Sequence, residues 1–467
     1  MKLTNSSSYA PNHFSRLIVG ILLALVLGVF STPLVAHADV RKADIVLGET
    51  VDSRGLSLAQ CANIEAEYAI VMDADSRVYF ERNSYSPAQI ASITKIMTAL
   101  VALEYAQEEP LITVSAEAAS VGESSAALQE GDVLTLEAAL KALMLSSGND
   151  AAIAIAESVG ELISEGKVPA HEAQEVFVAR MNALAQEMDL KDTLFTNPHG
   201  LDDGMYAGKQ HSCAYDVALI TQKAMQNTLF RTIVATPEDS ISVKHADSTR
   251  SSLSLSNTDA LLSYYDGACG VKTGYTDAAG YCFSGAADRG SGDVYAIVLK
   301  STDEIMRFDD TETLFDWYFT HSISYPLAHS SQSIQINEGS SSKEVPIIAE
   351  VAHSDWIDKT IKASFADPAQ SVDIFTLNGN INQSVEYNTI TGDVNIGDKV
   401  GSVTFKQRNE PIVTVDLVAC EKVNAPDLFE GIGIWWDRLF RGFSNQATEA
   451  ESMLINETPL VNTKVTT

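Results

Sequence analysis

Basic residues are scarce in this 467-residue chain, which has 31 Lys and Arg against 62 Asp and Glu and a net charge of −31. A chain this acidic repels a polyanion, so we expect no nucleic-acid partner. Cysteine is also scarce: the five residues are an odd number, with no CxxC pair and no His/Cys spacing typical of a metal site. We therefore expect no metal and no cofactor, and we expect the cysteines to be mainly small buried side chains.

Long hydrophobic runs are absent except near the N-terminus. There Lys2 and Arg16 precede the apolar run LIVGILLALVLGVF, and Ala-His-Ala at 36–38 suits cleavage before Asp39. This pattern predicts an export signal over residues 1–38. An uncleaved membrane anchor is the alternative, because the apolar segment approaches the roughly 20 residues that a membrane span needs. We expect an exported protein at the outer face of the cytoplasmic membrane.

The region 39–325 has strand patterns at both ends and helical patterns between them. Residues 67–83 predict two strands around a D-A-D-S turn, and GACGVKTGYT, GYCFSGAAD and DVYAIVLK predict three more, followed by a helix. We expect one α/β (α+β) catalytic domain whose sheet uses both ends of the region, with a mainly helical insertion. The predicted helices of the insertion, with apolar residues at three- and four-residue spacing, are 92–106, 135–146, 149–160, 171–188 and 213–229.

After Pro326 the sequence changes to short alternating runs such as EVPIIAEV and PIVTVDLVA. These predict a separate, small all-β domain over residues 326–424. An amphipathic helix is predicted over 425–444, and the Ser-, Thr- and Asn-rich tail 445–467 is predicted to be disordered.

The helix in DLFEGIGIWWDRLFRGF, 427–443, has two clearly different faces. At about 100° per residue, its charged residues share one arc and its large apolar residues, with Trp435 and Trp436, share the opposite one. Such a helix fits the plane of a membrane interface. Packing against the β domain is the alternative, since the helix has three glycines and little net positive charge.

Ser92 and Lys95 open the apolar helix SITKIMTAL, where residues three apart share a face. A partly desolvated lysine favours its neutral amine, which can take the proton of a neighbouring serine. Taken alone, the pair is better explained by a capping serine and a lysine that extends to solvent. Two further motifs reverse that judgement.

Ser147-Gly148-Asn149 lies between two predicted helices, and Lys272-Thr273-Gly274 lies in a predicted strand. The chain contains each pattern once. The three motifs follow in this order, about 55 and 125 residues apart. Their combination resembles the serine penicillin-recognising enzymes. Within them, SITKIMTAL, MLSSGNDAA, TNPHGLDD and GVKTGYTDAAGYCFSGAA are similar to the low-molecular-mass penicillin-binding proteins that act as D-alanyl-D-alanine carboxypeptidases.

The resemblance implies a β-lactamase/transpeptidase-like catalytic domain and a peptidoglycan stem peptide as substrate, with β-lactam antibiotics as acylating inhibitors. Ser92 would be the nucleophile and Lys95 its base, and Ser147 and Lys272 would relay a proton to the leaving amine. Asn149 would hold the substrate amide, and Thr273 the terminal carboxylate. Backbone N–H groups of Ser92 and Tyr275 would stabilise the oxyanion.

Arg307 matches the position where this family has an arginine for the substrate carboxylate, although its flanking residues differ; a solvated surface arginine is the alternative. Gly274 is expected to leave room for substrate backbone along the strand. His199 and His211 also match family positions, but neither belongs to the three motifs, and we expect each to stabilise a loop by a hydrogen bond. Supporting roles beside the site are expected for Asp202 and Asp216.

Three other functions remain open. A β-lactamase would share the three motifs but would add a glutamate for the deacylating water, and no Glu-x-x-Leu-Asn signature follows the Ser-Gly-Asn motif. A D,D-endopeptidase would differ only in the room beyond the scissile bond. A catalytically idle wall-binding protein would have no need to keep Ser92, Lys95 and Lys272.

Overall fold

The computed structural model describes residues 40–338 and 341–462, so the predicted export signal lies outside the described residues. The chain divides into two compact units, of which the first ends at Tyr318 and the second begins at Phe319. The predicted boundary at residue 326 is too late, because strand Ser322–Pro326 pairs with strand Ser371–Phe375 of the second unit.

The first unit is built on a seven-stranded sheet in the order β2-β1-β4-β3-β11-β10-β9, with the pairings antiparallel. The chain ends of the unit supply both parts of this sheet, as predicted, and β9 forms one edge. The strands of the first unit are β1 (Ile45–Val46), β2 (Glu49–Thr50), β3 (Tyr68–Asp73), β4 (Val78–Arg82), β5 (Leu111–Thr113), β6 (Val133–Thr135), β7 (Glu238–Lys244), β8 (Arg250–Ser256), β9 (Ala268–Thr276), β10 (Gly280–Asp288) and β11 (Asp293–Ser301).

Helices fill most of the chain between β4 and β9. The predicted helix 213–229 is two helices, because Asn227 caps a new one by accepting a hydrogen bond from the N–H of Phe230 at 3.1 Å. A helical turn covers 40–43. The labelled helices are α1 (Val51–Arg54), α2 (Lys95–Glu104), α3 (Ala116–Ser120), α4 (Leu136–Met144), α5 (Asn149–Ile163), α6 (Ala170–Glu187), α7 (Ala214–Met225), α8 (Thr228–Val234) and α9 (Met306–His321).

The insertion also contains a four-stranded sheet, β5-β6-β7-β8, that the sequence analysis missed. Two of its strands have only three residues, and the other two alternate serine with a few apolar residues on a half-exposed surface. Their hydrophobic pattern is therefore too weak to predict a strand.

The core of the first unit surrounds α5, which is buried over most of its length. A helix that is apolar all round belongs in the interior. Gly160 allows α6 to approach closely, since a Cβ there would lie 2.0 Å from the carbonyl oxygen of Ala173. The N-terminal residue of this central helix is Asn149, so core packing fixes the position of the Ser-Gly-Asn motif.

Buried polar contacts fix α9. The carboxylate of Asp310 accepts hydrogen bonds from the N–H groups of Glu65 at 2.7 Å and Ala66 at 2.9 Å, and from the hydroxyl of Ser301 at 2.8 Å. This carboxylate lies one helical turn after Arg307, and the Thr311 hydroxyl donates to the Arg307 carbonyl at 2.7 Å. The helix that carries Arg307 is thus tied to β11 and to the segment before β3.

The second unit has a six-stranded antiparallel sheet in the order β18-β19-β20-β16-β15-β21, together with two two-stranded ladders, β12–β17 and β13–β14. Its core includes Phe365 and Phe405, whose rings meet edge to face at 5.8 Å. The strands are β12 (Ser322–Pro326), β13 (Ser333–Glu338), β14 (Ser341–Pro346), β15 (Ala349–Ala352), β16 (Thr360–Phe365), β17 (Ser371–Phe375), β18 (Ile381–Tyr387), β19 (Lys399–Gln407), β20 (Glu410–Ala419) and β21 (Met453–Leu454).

The predicted disorder of the tail 445–467 is wrong for the residues described, which extend to 462. Strand β21 pairs with β15. Asn456 is buried, and its side-chain amide donates to the Leu327 carbonyl at 3.0 Å and to Gln383 Oε1 at 2.9 Å. One short strand and one buried asparagine attach this segment to the β domain. Both features occur in a sequence that is polar overall, so composition alone predicted disorder.

Helix α10 (Leu428–Phe443) begins with a capping box, in which Asp427 and Glu430 accept hydrogen bonds from each other's backbone N–H at 2.8 and 2.9 Å. The Arg438 guanidinium donates to the carbonyls of Ser354 at 2.5 Å and Trp356 at 3.2 Å. The large apolar side chains of α10 are exposed: Leu428, Phe429, Ile432, Trp435, Trp436, Leu439, Phe440 and Phe443. Within 40–338 and 341–462, no helix has both the length and the hydropathy of a membrane span.

Candidate active site

Ser92 lies in a 3₁₀ turn, Ala91–Thr94, that leads directly into α2. Ala91 has φ +46°, a left-handed conformation that alanine seldom adopts and that concentrates at functional sites. The turn places Lys95, the first residue of α2, beneath Ser92. Lys95 Nζ lies 2.7 Å from Ser92 Oγ.

The Lys95 amine is completely buried and has two other partners, Asn149 Oδ1 and the His199 carbonyl oxygen, each at 2.7 Å. Both of these atoms only accept hydrogen bonds. A neutral amine can donate its two N–H bonds to them and direct its lone pair at the Ser92 hydroxyl. Burial lowers the pKa of Lys95 well below its usual value, and the nearby charge of Lys272 lowers it further.

The Ser-Gly-Asn motif connects α4 and α5. Ser147 is buried with φ +55°, and the Asn149 side-chain amide donates to the Gly122 carbonyl at 3.1 Å. The carboxylate of Asp150 accepts from the Ser125 hydroxyl at 2.6 Å and from backbone N–H groups of the same loop. Asp150 therefore holds the 122–128 loop beside the motif.

Lys272 and Thr273 are consecutive residues of the edge strand β9. Lys272 is buried, and its amine donates to the Thr273 carbonyl at 3.0 Å. Burial lowers the pKa of Lys272 to about 7, with a further contribution from Arg307. The Thr273 hydroxyl lies 2.6 Å from the hydroxyl of Thr258.

Gly274 allows β9 to approach the serine turn. A Cβ on Gly274 would lie 2.8 Å from the Ile90 carbonyl oxygen and 3.2 Å from the Ser92 nitrogen. The space beside Gly274 is thus filled by the protein's own backbone. Our expectation that the missing side chain makes room for substrate needs correction: here it lets β9 lie against the Ile90–Ser92 backbone.

Arg307 extends from α9 to β9. Among the described residues its guanidinium makes long hydrogen bonds, to the Gly274 carbonyl at 3.4 Å and to Glu304 Oε1 at 3.5 Å, and lies 4.9 Å from the centre of the Phe308 ring. Its buried Nε has no hydrogen-bond partner among the described residues. Burial lowers the pKa of Arg307. The alternative of a solvated surface arginine is wrong, because the side chain is buried at the cavity wall.

These elements surround a cavity of about 680 Å³. Seven of the nine predicted site residues line it, and the amines of Lys95 and Lys272 lie beneath. The predicted residues in the lining are Ser92, Ser147, Asn149, Thr273, Gly274, Tyr275 and Arg307. Residues from loops and helix ends that were not predicted also line the cavity, among them Glu123, Ser124, Asp203, Thr258, Tyr281 and Phe308. They lie outside the three catalytic-type motifs, so their proximity follows from tertiary packing.

Residues 56–303, more than half of the chain, match the D-alanyl-D-alanine carboxypeptidase family, peptidase S11. The chain belongs to this family. It is 28% identical over 369 residues to the D-alanyl-D-alanine carboxypeptidase DacF of Bacillus subtilis, covering 76% of this chain and 85% of the relative. DacB2 of Mycobacterium tuberculosis, with the same enzyme name, is 33% identical over 260 residues, covering 54% of this chain and 82% of the relative.

The crystal structure of the Streptomyces K15 DD-transpeptidase is similar as well, with a TM-score of 0.51 and 30% identity. The matched region covers 55% of this chain and 98% of the K15 chain. The family and these likenesses identify the protein as a serine DD-peptidase, a hydrolase of the serine-type D-Ala-D-Ala carboxypeptidase class.

His199 contributes to the S11 site through its backbone. Its carbonyl accepts from Lys95, and its ring Nδ1 accepts from the Leu201 N–H at 3.1 Å, which confirms the predicted loop-stabilising hydrogen bond. Burial, and then the charge of Lys95, lower the pKa of His199 to about 3. The ring is therefore neutral and acts as no base at neutral pH.

The other expected supporting residues differ in position. Asp202 lines the cavity and accepts from the Thr276 hydroxyl at 2.7 Å. Asp216 accepts from the Thr193 hydroxyl at 2.7 Å. His211 pairs through its backbone with Leu194, and its ring Nδ1 lies within hydrogen-bond distance of the Lys209 carbonyl in the same loop, as predicted. Asp216 and His211 hold neighbouring segments and do not line the cavity.

All five cysteines are free in the structure. In the β9–β10 ladder Cys282 lies opposite Gly274, out of register with Cys269. Cys61, Cys213, Cys282 and Cys420 are buried.

Proposed function

We propose that this enzyme removes the terminal D-alanine from peptidoglycan stem pentapeptides through an acyl-enzyme on Ser92. One observation carries the assignment of roles: the buried Lys95 amine lies 2.7 Å from the Ser92 hydroxyl, with two acceptor-only partners on its other side. This arrangement favours a neutral base that takes the serine proton as the Ser92 Oγ–carbon bond forms.

The carbonyl of the penultimate D-alanine becomes an oxyanion when Ser92 attacks it. The backbone N–H groups of Ser92 and Tyr275 are the proposed donors to this oxygen. The peptide C–N bond then breaks, and the leaving amine needs a proton. Ser147 passes it on from Lys272, and Lys95 retains the proton of Ser92 until water hydrolyses the ester.

Substrate binding uses the edge of β9. An extended peptide can add to a free strand edge through main-chain hydrogen bonds. Asn149 holds the substrate amide, and the Thr273 hydroxyl and Arg307 bind the terminal carboxylate. The loosely held guanidinium supports this role, because a carboxylate offers it two hydrogen bonds that its present partners do not.

The test is release of D-alanine from diacetyl-Lys-D-Ala-D-Ala by the mature protein, together with labelling by a fluorescent penicillin. Wild type should release D-alanine and should carry one slowly lost label. Ser92→Ala should do neither, while its melting temperature stays close to wild type. Equal labelling of Ser92→Ala contradicts the nucleophile assignment. Rapid nitrocefin turnover would indicate a β-lactamase.

Transpeptidation is the second candidate, favoured by the likeness to a protein named DD-transpeptidase. The same acyl-enzyme would react with an amine in place of water. Adding glycylglycine to the tripeptide assay separates the two: a transpeptidase yields a glycylglycine adduct in proportion to the acceptor, and a carboxypeptidase keeps releasing the hydrolysed acid.

We also propose that α10 holds the enzyme on the outer face of the cytoplasmic membrane after export by residues 1–38. Eight large apolar side chains on one helix are exposed. Placing such a side chain in an apolar phase contributes about 1.5–3 kcal/mol, so several together can bind a helix to lipid against the repulsion of an acidic protein.

The double variant Trp435→Ser/Phe440→Ser tests the membrane proposal. We expect wild type to float with phosphatidylglycerol vesicles and the variant to remain in the supernatant, with D-alanine release unchanged. Ile396→Ser, which changes an exposed apolar side chain outside the helix, is the matched control. Deletion from residue 427 onwards is unsuitable because it also removes β21. A mature N-terminus at Asp39 would support cleavage of the signal.

A further inference from the structure

A buried carboxyl group at the cavity wall has no role in the mechanism proposed above. Asp259 is 4% exposed and precedes the 3₁₀ turn Ala260–Ser263. Its Oδ1 accepts from the Leu261 N–H at 2.9 Å, whereas its buried Oδ2 has no hydrogen-bond partner among the described residues. The residues on either side of it, Thr258 and Ala260, line the cavity, and the Thr258 hydroxyl lies 2.6 Å from that of Thr273, the neighbour of Lys272 on β9. The carboxyl is thus fixed in place with one oxygen unused.

The same wall contains two buried cationic side chains: among the described residues Lys272 has no ion pair, and Arg307 has one only with an exposed carboxylate. Lys272 is 1% exposed, and its amine donates to the carbonyl of Thr273 at 3.0 Å and lies 3.5 Å from the hydroxyl of the same residue. Arg307 is 6% exposed, and its acidic neighbour Glu304 is exposed and 3.5 Å away. Burial, and then the charge of Arg307, lower the pKa of Lys272, and the charge of Asp259 opposes them by raising it. Unpaired like charges in the interior are costly.

We propose that Asp259 is a positioning residue whose carboxylate supplies the negative charge that keeps Lys272 protonated in the cleft. Asp259 touches no reacting atom and acts through Lys272, which needs its proton to deliver it toward the leaving amine. The inference therefore depends on the proposed function of Lys272. The charge of Asp259 also raises the pKa of Arg307. Asp259 therefore stabilises the cation that is proposed to bind the substrate carboxylate.

The buried surroundings of Asp259 and Lys272 allow both side chains to gain or lose a proton near neutral pH. Burial raises the pKa of Asp259 to about 7 and lowers that of Lys272 to about 7. Burial also raises the pKa of Cys269 to about 12 and raises the pKa of Tyr264. The charged or titratable groups facing the pair are Cys269 on β9, Arg307 on α9, Tyr264 after the 3₁₀ turn, and Lys95 on α2, which acts on Lys272.

Asp259→Asn tests the inference, because the amide oxygen can still accept from the Leu261 N–H. We would measure kcat/KM for diacetyl-Lys-D-Ala-D-Ala and the rate of penicillin acylation between pH 5 and 10. The alkaline limb of both profiles, which reports loss of the Lys272 proton, should move to lower pH by about one unit. Well above this limb, activity relative to wild type should fall about tenfold.

Asp266→Asn is the matched control, since its side chain is 94% exposed and the change removes the same charge from a nearby loop. The alkaline limb of both pH profiles of Asp266→Asn should lie at the same pH as in wild type. An active, folded Asp259→Asn whose limb coincides with wild type overturns the inference. If that variant does not fold, Asp259→Ser, whose hydroxyl can cap the same turn, should show the same displaced limb. A wild type that releases no D-alanine would instead contradict the proposed function itself.

Discussion

Gly274→Ala is the most informative single change in the first unit. The new Cβ would lie 2.8 Å from the Ile90 carbonyl oxygen, where ordinary contacts begin near 3.4 Å, so β9 and the serine turn must separate by about half an ångström. That movement separates the two proposed oxyanion donors. Loss of one such donor typically costs about 10²–10³ in rate, or roughly 3–4 kcal/mol of transition-state stabilisation.

The assay compares kcat/KM for diacetyl-Lys-D-Ala-D-Ala and the penicillin acylation rate. Both should fall about 10²-fold in Gly274→Ala, because both pass through an oxyanion at the same site. Gly208→Ala is the control, since a Cβ there meets nothing closer than 3.6 Å and should leave both rates within about twofold of wild type. A Gly274→Ala enzyme within threefold of wild type would refute the reasoning.

Three further predictions concern the buried polar groups. Lys95→Arg should lower penicillin acylation at least 10³-fold, because a guanidinium stays charged and cannot act as the base; acylation followed by intact mass checks this. Asp310→Asn should destabilise the fold by about 2–3 kcal/mol in urea unfolding, because an amide can no longer accept on both sides. Lys272→Met should remove activity yet stabilise the fold by roughly 2–4 kcal/mol at pH 6–7. The pKa of Lys272 is about 7 when folded against 10.5 for the free side chain, so the unfolded state binds more protons between these values. The stabilising effect should therefore be complete below pH 7 and shrink as the pH rises toward 10.5, which urea midpoints across this range would measure.

The three motifs of the candidate site could be predicted because their geometry is local. Ser92 and Lys95 are three residues apart at a helix start, and Lys272 lies on a strand with a strong apolar pattern. Apolar periodicity also predicted the long helices to within a few residues. Motif spacing and apolar periodicity involve residues that are close in the sequence, so both can be read from one sequence alone.

Contacts between distant segments could not be predicted. Gly274 faces the Ile90–Ser92 backbone, and Asp259 lies in a polar stretch without any motif. The strands β5 to β8 and β21 are short or rich in polar residues, so pairing with partners far along the chain stabilises them more than their own pattern does. Each of these features depends on tertiary packing that sequence spacing does not encode.

The protonation state of Lys95 tests the central claim most directly. Selective ¹³Cε-lysine labelling would follow the amine by NMR from pH 5 to 11, with assignment by loss of the signal in Lys95→Met and of a second one in Lys272→Met. We expect Lys95 to be neutral in the free enzyme at pH 7.5, because burial lowers its pKa well below the usual value. A Lys95 signal that stays protonated up to pH 10 would contradict the account.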